Sequence, residues 1–382
     1  MKVKLRELGE IVTGNTPSKQ VTEFWDSDDI CFVKPDTISD TGISTILSSV
    51  EHLAEAARSK ARVVGNDAVL VTCIGSIGKI GITGHGEFAF NQQINAIIPN
   101  KRVNPKYLAY ALLFAKPQLI AIANAPVVPI INKSQFGDFE INIADGIQEQ
   151  AEVSRILDKV VGVISKRQQQ LSALDDLIKA RFVEMFGAEQ YPKQALISLI
   201  KDDAGLSYGI VQPGDDGTGD MGVLRPVDFV DGHISTKSIK YIDRSIGDGF
   251  KKTELTGDEL LITVRGTTGI TALTDKRFAG MNVTRGIAVI RYNRDKINPV
   301  FLNAYLNSDE SQRYIQDHTR GATLQQINLS DLRVQMITVP PMELQNKFAA
   351  FATQIDKSKS VIQKSLSETQ LLFDSLMQEY FR

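Results

Sequence analysis

The chain has 382 residues, with 43 Lys and Arg against 45 Asp and Glu, a formal net charge of −2 and 42% hydrophobic residues. That length suits two or three domains, and the near-neutral balance argues against a protein held on nucleic acid by bulk charge alone. No run reaches the length of a membrane span, the start "MKVKLRELGE" is too polar for a secretory signal, and Cys31 and Cys73 lack metal-ligand spacing. The expectation is a cytoplasmic chain with no membrane partner, no metal, and two buried, reduced thiols.

In chain order, the first feature is the turn-rich stretch "GNTPSK" (14–19), which offers Thr16 and Lys19. Next comes an apolar run followed by "TCIGSIGKIGI" (72–82), with glycines at 75, 78 and 81 and Lys79 among them. It looks like a phosphate-binding loop after a strand, but the spacing fails. A P-loop requires glycine at position 73, which is Cys73, and a hydroxyl at position 80, which is Ile80. The glycines run G-x-x-G-x-x-G, which is also not the dinucleotide pattern. The segment "NQQINAII" (91–98) follows, then Asn104-Pro105, an N-cap with proline at the first helical position.

From 147 to 186 no proline occurs, and Val153, Leu157, Val160, Ile164, Leu171, Leu174, Ile178 and Met185 recur every three or four residues. Arg167 and Arg181 stand at expected apolar positions. This is the seam of a coiled coil about 60 Å long. The alternative is a helix packed on its own domain.

The second half repeats the first. Thr72, Gly75 and Gly78 recur as Thr263, Gly266 and Gly269 in "TVRGTTGITAL" (263–273). "GNDAVLVT" (65–72) matches "GDELLIT" (257–263), "NQQINAII" matches "NVTRGIAVI" (282–290), and Asn104-Pro105 matches Asn298-Pro299. "IINKS" (130–134) matches "QINLS" (326–330). A second helix follows Pro340-Pro341, with Phe348, Ile355, Ile362, Leu366, Phe373, Leu376 and Tyr380 on its seam. The reading is an α+β protein of two pseudo-repeated, β-rich domains, each with a short helix (1–145 and 188–340). Two long helices (146–187 and 341–382) follow them, and their apolar seams are expected to pair with each other or with helices of a partner.

Chemistry-bearing motifs are missing. The Asp/Asn-Pro-Pro-aromatic loop of adenine methyltransferases does not occur, nor any Glu-x-Lys or Asp-x-Lys tripeptide of metal-dependent nucleases, H-E-x-x-H, or G-x-S-x-G. Local charge is more telling. Residues 58–106 hold seven Lys/Arg against two Asp/Glu, and residues 225–296 hold thirteen against nine. Basic loops mixed with Asn, Gln, Thr and Ser suit phosphate and base-edge contacts, although a solvated mixed surface is an equal reading of the charge alone.

The order of "KLRELGEIVTGNTP", "IQEQAEVSRILDKV", "GATLQQINLSDL" and "VPP", together with the duplication, resembles the specificity subunit of type I restriction–modification systems along the whole chain. The resemblance implies an α+β fold of two target-recognition domains joined by two long helices as an antiparallel coiled coil, each domain reading one half of a split, asymmetric DNA site. It implies helices that fix the unread spacer and dock methyltransferase subunits. S-adenosylmethionine would lie on those subunits, and ATP with Mg on motor/nuclease subunits. The chain itself would carry no cofactor and catalyse nothing. Candidate DNA contacts are Thr16, Lys19, Thr72, Ser76, Lys79, Asn91, Gln92 and Gln93 in the first domain. In the second they are Arg265, Thr267, Thr268, Asn282, Thr284 and Arg285. Arg265 and Arg285 suit guanine; Asn and Gln suit adenine. The bland alternative for Asn91 and Asn282 is that they close turns. Competing readings are the recognition half of a single-chain restriction–methylation enzyme and a coiled-coil assembly scaffold.

Overall fold

The computed structural model describes residues 1–123, 128–188, 190–202, 205–214, 217, 219–230, 232–322 and 324–382. The chain divides into two compact units. Unit 1 is Met1–Gln168 with Lys364–Arg382, and unit 2 is Gln169–Gln363. The fold is α+β, built twice.

Unit 1 carries, among the described residues, a five-stranded sheet in the order Gly9–Thr13, Ile94–Pro99, Val69–Thr72, Ile80–Thr83, Ile43–Ile46. A four-stranded sheet orders Glu51–Leu53, Ile30–Val33, Phe88–Phe90 and Val63–Val64. Val69–Thr72 is buried at all four positions because both faces are covered. Val69 and Val71 enter the core shared with the helices, and Leu70 enters the core on the opposite face. That is the period-two division of a strand. Unit 2 repeats the arrangement around Leu260–Thr263, where Leu260 and Ile262 face the helices and Leu261 faces away.

The Asn-Pro signals start short helices as the sequence indicates. The Asn104 side chain accepts hydrogen bonds from the Lys106 and Tyr107 amides at 3.0 and 3.1 Å, opening the helix Pro105–Phe114. Asn298 accepts from the Val300 and Phe301 amides at 2.9 and 3.4 Å, opening Pro299–Leu306. Each short helix is tied to a long one by a buried glutamine. Gln150 accepts from the Asn104 amide at 2.8 Å and donates to the Ala144 carbonyl at 2.8 Å. Gln345 accepts from the Asn298 amide at 2.8 Å and donates to the Pro340 carbonyl at 2.8 Å. Both glutamines are almost fully buried, at 0% and 1% exposure.

The long helices run Ile147–Phe186 and Met342–Phe381. Within unit 1, Arg167 donates to the Ser365 carbonyl at 2.6 Å and to the Thr369 hydroxyl. Within unit 2, Lys359 pairs with Asp175 at 2.5 Å, and the Arg181 guanidinium lies 5.9 Å from the Phe351 ring centre. As one number rises the other falls, so the helices are antiparallel. The arginines that interrupt the apolar stripe stay in the seam with partners. The helix ends also pack on the domains: Val153, Leu157, Met377 and Phe381 belong to the unit 1 core, and Phe186, Phe348 and Ala352 to that of unit 2. Of the arrangements weighed from sequence, helix on its sister helix and helix on domain therefore occupy different parts of the same helices.

Replacing Gln345 by Leu leaves the Asn298 amide and the Pro340 carbonyl without their partner in a buried place. The expected loss is about 1–3 kcal/mol, read as a lower urea midpoint for amide exchange in unit 2. An unchanged midpoint would mean that water replaces the glutamine.

Candidate nucleic-acid interface

The glycine loop is built the same way in both units. The Thr72 hydroxyl donates to the Ser76 carbonyl and accepts from the Lys79 amide at 3.0 Å, while the Gly78 amide donates to the Thr72 carbonyl at 2.9 Å. In unit 2 the Thr263 hydroxyl accepts from the Ile270 amide at 3.0 Å, and the Gly269 amide donates to the Thr263 carbonyl at 2.8 Å. Gly75, Gly78, Gly266 and Gly269 have φ of 75°, 77°, 86° and 87°, the left-handed region that glycine enters without strain.

Two further segments clamp each loop. The Cys73 amide donates to the Gln93 carbonyl at 2.7 Å, and the Val264 amide to the Gly286 carbonyl at 2.8 Å. On the other side, Gly75 donates to the Pro129 carbonyl at 3.0 Å and Gly266 to the Gln325 carbonyl at 2.8 Å. Isolated bridges pair Ile74 with Ile130 and Arg265 with Gln326. The turn before the strand also duplicates. Lys34 precedes Pro35 and pairs with Glu51; Arg225 precedes Pro226 and pairs with the fully buried Asp228 at 3.0 Å. The Lys34 hydrogen bond holds the Glu51 carboxyl below its ordinary value.

This frame redistributes the candidate residues. Thr72 and Asn282 are fully buried, so neither faces a ligand. Thr72 closes the loop. Asn282 accepts from Thr253 at 2.8 Å and donates to the Phe250 carbonyl at 3.1 Å. Lys79 has an 11%-exposed side chain held by the Pro35 carbonyl at 3.2 Å and Asp40 at 3.1 Å, which takes its charge away from the surface. Asn91, 8% exposed, donates to the Gln93 side chain at 2.8 Å and accepts from the Gln93 amide at 3.1 Å, closing a turn.

Nor is Asn91 the counterpart of Asn282. The Asn91 amide donates to the Val33 carbonyl, and the equivalent bond to the Leu224 carbonyl comes from Thr284. The two segments are offset by two residues from the alignment read by eye, so Gln92 corresponds to Arg285.

The rest lie outward or at the edge. Ser76, Thr267 and Arg285 are exposed, and Arg265, Thr268 and Thr284 are half-buried. Thr268 and Thr319 share a 3.1 Å hydrogen bond. Gln92 is exposed and accepts from Thr16 at 2.9 Å, and half-buried Gln93 turns inward to Asn91. Lys19 reaches Glu51 at 3.1 Å and sits 5.2 Å from the Trp25 ring centre. Among the described residues no side-chain partner is found for Arg265 or Arg285. Ile74, Ile130, Gln325 and Gln326 share this edge and were not among the sequence candidates. The repeated "IINKS" and "QINLS" were the signal for them. Lys34 and Arg225 were legible as a repeated basic-Pro pair, likewise unused.

A family model described as "Type I restriction modification DNA specificity domain" matches residues 1–174 and 219–369. The chain belongs to the type I restriction–modification DNA specificity family. The EcoBI specificity subunit of Escherichia coli is 24% identical over 198 residues, 51% of this chain and 42% of that subunit. This chain thus spans less than half of that relative. The protein named for the MjaX specificity subunit of Methanocaldococcus jannaschii is 26% identical over 404 residues, 95% of this chain and 89% of that one. Among solved structures, the type I S subunit from M. genitalium shares the fold with a TM-score of 0.59 at 14% identity, covering 100% of this chain and 96% of that one. A structure solved for complex assembly and conformational transition of the type I R–M system gives 0.57 at 19% identity, covering 100% and 97%.

The base of the first loop supplies a chemical check on this frame. Burial pushes the Cys73 thiol up to about 12, so almost no thiolate exists at pH 8. Cys31 is half-buried. Titration with a disulfide reagent should label Cys31 in the folded protein and Cys73 only after denaturation. Rapid labelling of both would show that the loop opens.

Proposed function

We propose that this chain is the DNA-reading subunit of a type I restriction–modification complex, acting in the cytoplasm. Each unit reads one half of a bipartite, asymmetric site in double-stranded DNA. The long helices fix the unread spacer and dock methyltransferase subunits, to which motor/nuclease subunits add. S-adenosylmethionine, ATP and Mg belong to those partners; the chain recognises and does not catalyse. The observation that carries the reading is the duplicated frame. One backbone scaffold is built twice to the same hydrogen-bond pattern, yet it shows Arg265 and Arg285 in one copy and Ile74 and Gln92 at the same places in the other. A frame kept constant while the side chains along its edge differ is what two readers of different half-sites require. A pure coiled-coil scaffold has no use for it.

Arg265 is the contact to test. Arg265→Ala in the assembled complex should abolish discrimination at one base pair of one half-site, about 1–3 kcal/mol for a bidentate guanine contact. Competition binding against single-base variants reads this. Equal weakening across all variants would make Arg265 a phosphate contact. In the same series, the chain without methyltransferase subunits should transfer no methyl group to adenine.

The helices are tested as a ruler. The seam contacts put Leu171 opposite Ile362. One heptad inserted after each keeps the apolar face in phase and preserves both polar seam contacts. Each helix lengthens by about 10 Å, which at roughly 3.4 Å per base pair is about three base pairs of spacer. Modified-base sequencing should show a longer spacer with both half-sites intact. Changed half-sites with an unchanged spacer would mean that the helices only dock partners.

A further inference from the structure

Where unit 2 sets Arg265 beside Gln326, unit 1 sets Ile74 beside Ile130. The backbone at the two places is the same. The Gly75 amide donates to the Pro129 carbonyl and the Ile131 amide to the Cys73 carbonyl, at 3.0 and 2.8 Å. The Gly266 amide donates to the Gln325 carbonyl and the Ile327 amide to the Val264 carbonyl, at 2.8 and 3.0 Å. Opposed residues bracketed in this way form the pair whose side chains stand closest, on one face. Ile130 is 41% exposed and Val128, two residues earlier, is 44% exposed. Ile74, opposite Ile130, is half-buried, and Ser76, two residues on, is exposed. One edge of a single scaffold thus ends in guanidinium and amide in unit 2, and in aliphatic carbon in unit 1.

Such carbon fits one feature of duplex DNA. Among the features by which the major groove distinguishes base pairs, the C5 methyl of thymine is the bulky apolar one. Covering a methyl with an aliphatic side chain removes apolar surface from water on both sides. Gln92, exposed next to this edge, adds an amide of the type that pairs with adenine, the partner of that thymine. We propose that Ile74 and Ile130, with Val128 beside them, are specificity-determining residues that read thymine methyl groups in the half-site bound by unit 1. The proposal rests on the DNA-reading function above and adds what that function leaves open, namely the class of base read by one unit. It follows that this half-site contains at least one A·T pair whose thymine is recognised by its methyl.

The probe is the assembled complex with duplexes carrying its own motif, found by modified-base sequencing. Each thymine of both half-sites is replaced in turn by deoxyuridine, which keeps the pairing edge and lacks only the methyl. The expected result is binding weakened about fourfold at one or more positions of a single half-site, the effect of one buried methyl. The paired variant Val128→Ser, Ile130→Ser should bind thymine and uracil duplexes alike while still discriminating bases in the other half-site. Specific binding that tolerates uracil at every position overturns the proposal and leaves the DNA-reading function standing. Uracil sensitivity that persists in the paired variant also overturns it, because the methyl is then read elsewhere. A complex that binds no duplex specifically takes both readings down. Uracil tolerance in the deoxyuridine series on the unaltered protein overturns the proposal even if the paired variant folds poorly.

Discussion

A forty-residue helix with an apolar stripe cannot stand alone in water, and covering that stripe is the constraint on which the architecture turns. The chain meets it with its own second copy. Middle stretches of the two helices cover one another, with Arg167 capping a carbonyl and Lys359 meeting Asp175. Toward their ends the stripes run into domain cores, where Phe381 meets Tyr107 at 4.9 Å between ring centres and Phe186 meets Phe301 at 5.0 Å. Gln150 and Gln345 then fix the angle at which each helix leaves its domain. Such polar groups are costly to bury unless every donor and acceptor is matched, so they specify one geometry where packing alone would accept several.

The fold was legible because its signals are local and repeated. Heptads, Asn-Pro caps and the doubled Thr-x-x-Gly-x-x-Gly loop each name an element without knowledge of the rest. The interface was legible only as a region. Thr72, Lys79 and Asn282 are polar residues in a basic, glycine-rich neighbourhood, the description of a contact and equally of a brace. What separates the two is burial and the partner across the fold: Ser76 and Lys79 for Thr72, Asp40 for Lys79, Thr253 for Asn282. None of these partners can be inferred from composition. The offset between Asn91 and Asn282 misled for a related reason. Matching letters were aligned, whereas the structure aligns amides and carbonyls.

The frame holds its shape through main-chain bonds, one threonine hydroxyl per loop, and glycines where backbones nearly touch. A Cβ on Gly14 would lie 2.2 Å from the Asn91 carbonyl oxygen, and one on Gly209 would lie 1.7 Å from that of Val283. These two glycines are needed in equivalent places, so the N-terminal loop and its counterpart in unit 2 pass close against the same segment. Exposed side chains take almost no part in the frame. Side chains that make no bond within the frame are likewise free to differ, which is how the half-buried Ile74 and Arg265 occupy one backbone position in two units of one protein.

Unit 1 is discontinuous, while unit 2 is a single stretch of chain. On a ribosome working from the first residue to the last, unit 2 has all its parts before unit 1 does. The core of unit 1 lacks Met377 and Phe381 until the final turns of the second helix are made. Until then the apolar surface that these residues cover, around Tyr107 and Phe114, faces solvent or a chaperone. Synthesis order thus finishes unit 1 after unit 2, and a chain that stops within Lys364–Arg382 has unit 2 complete and the core of unit 1 open.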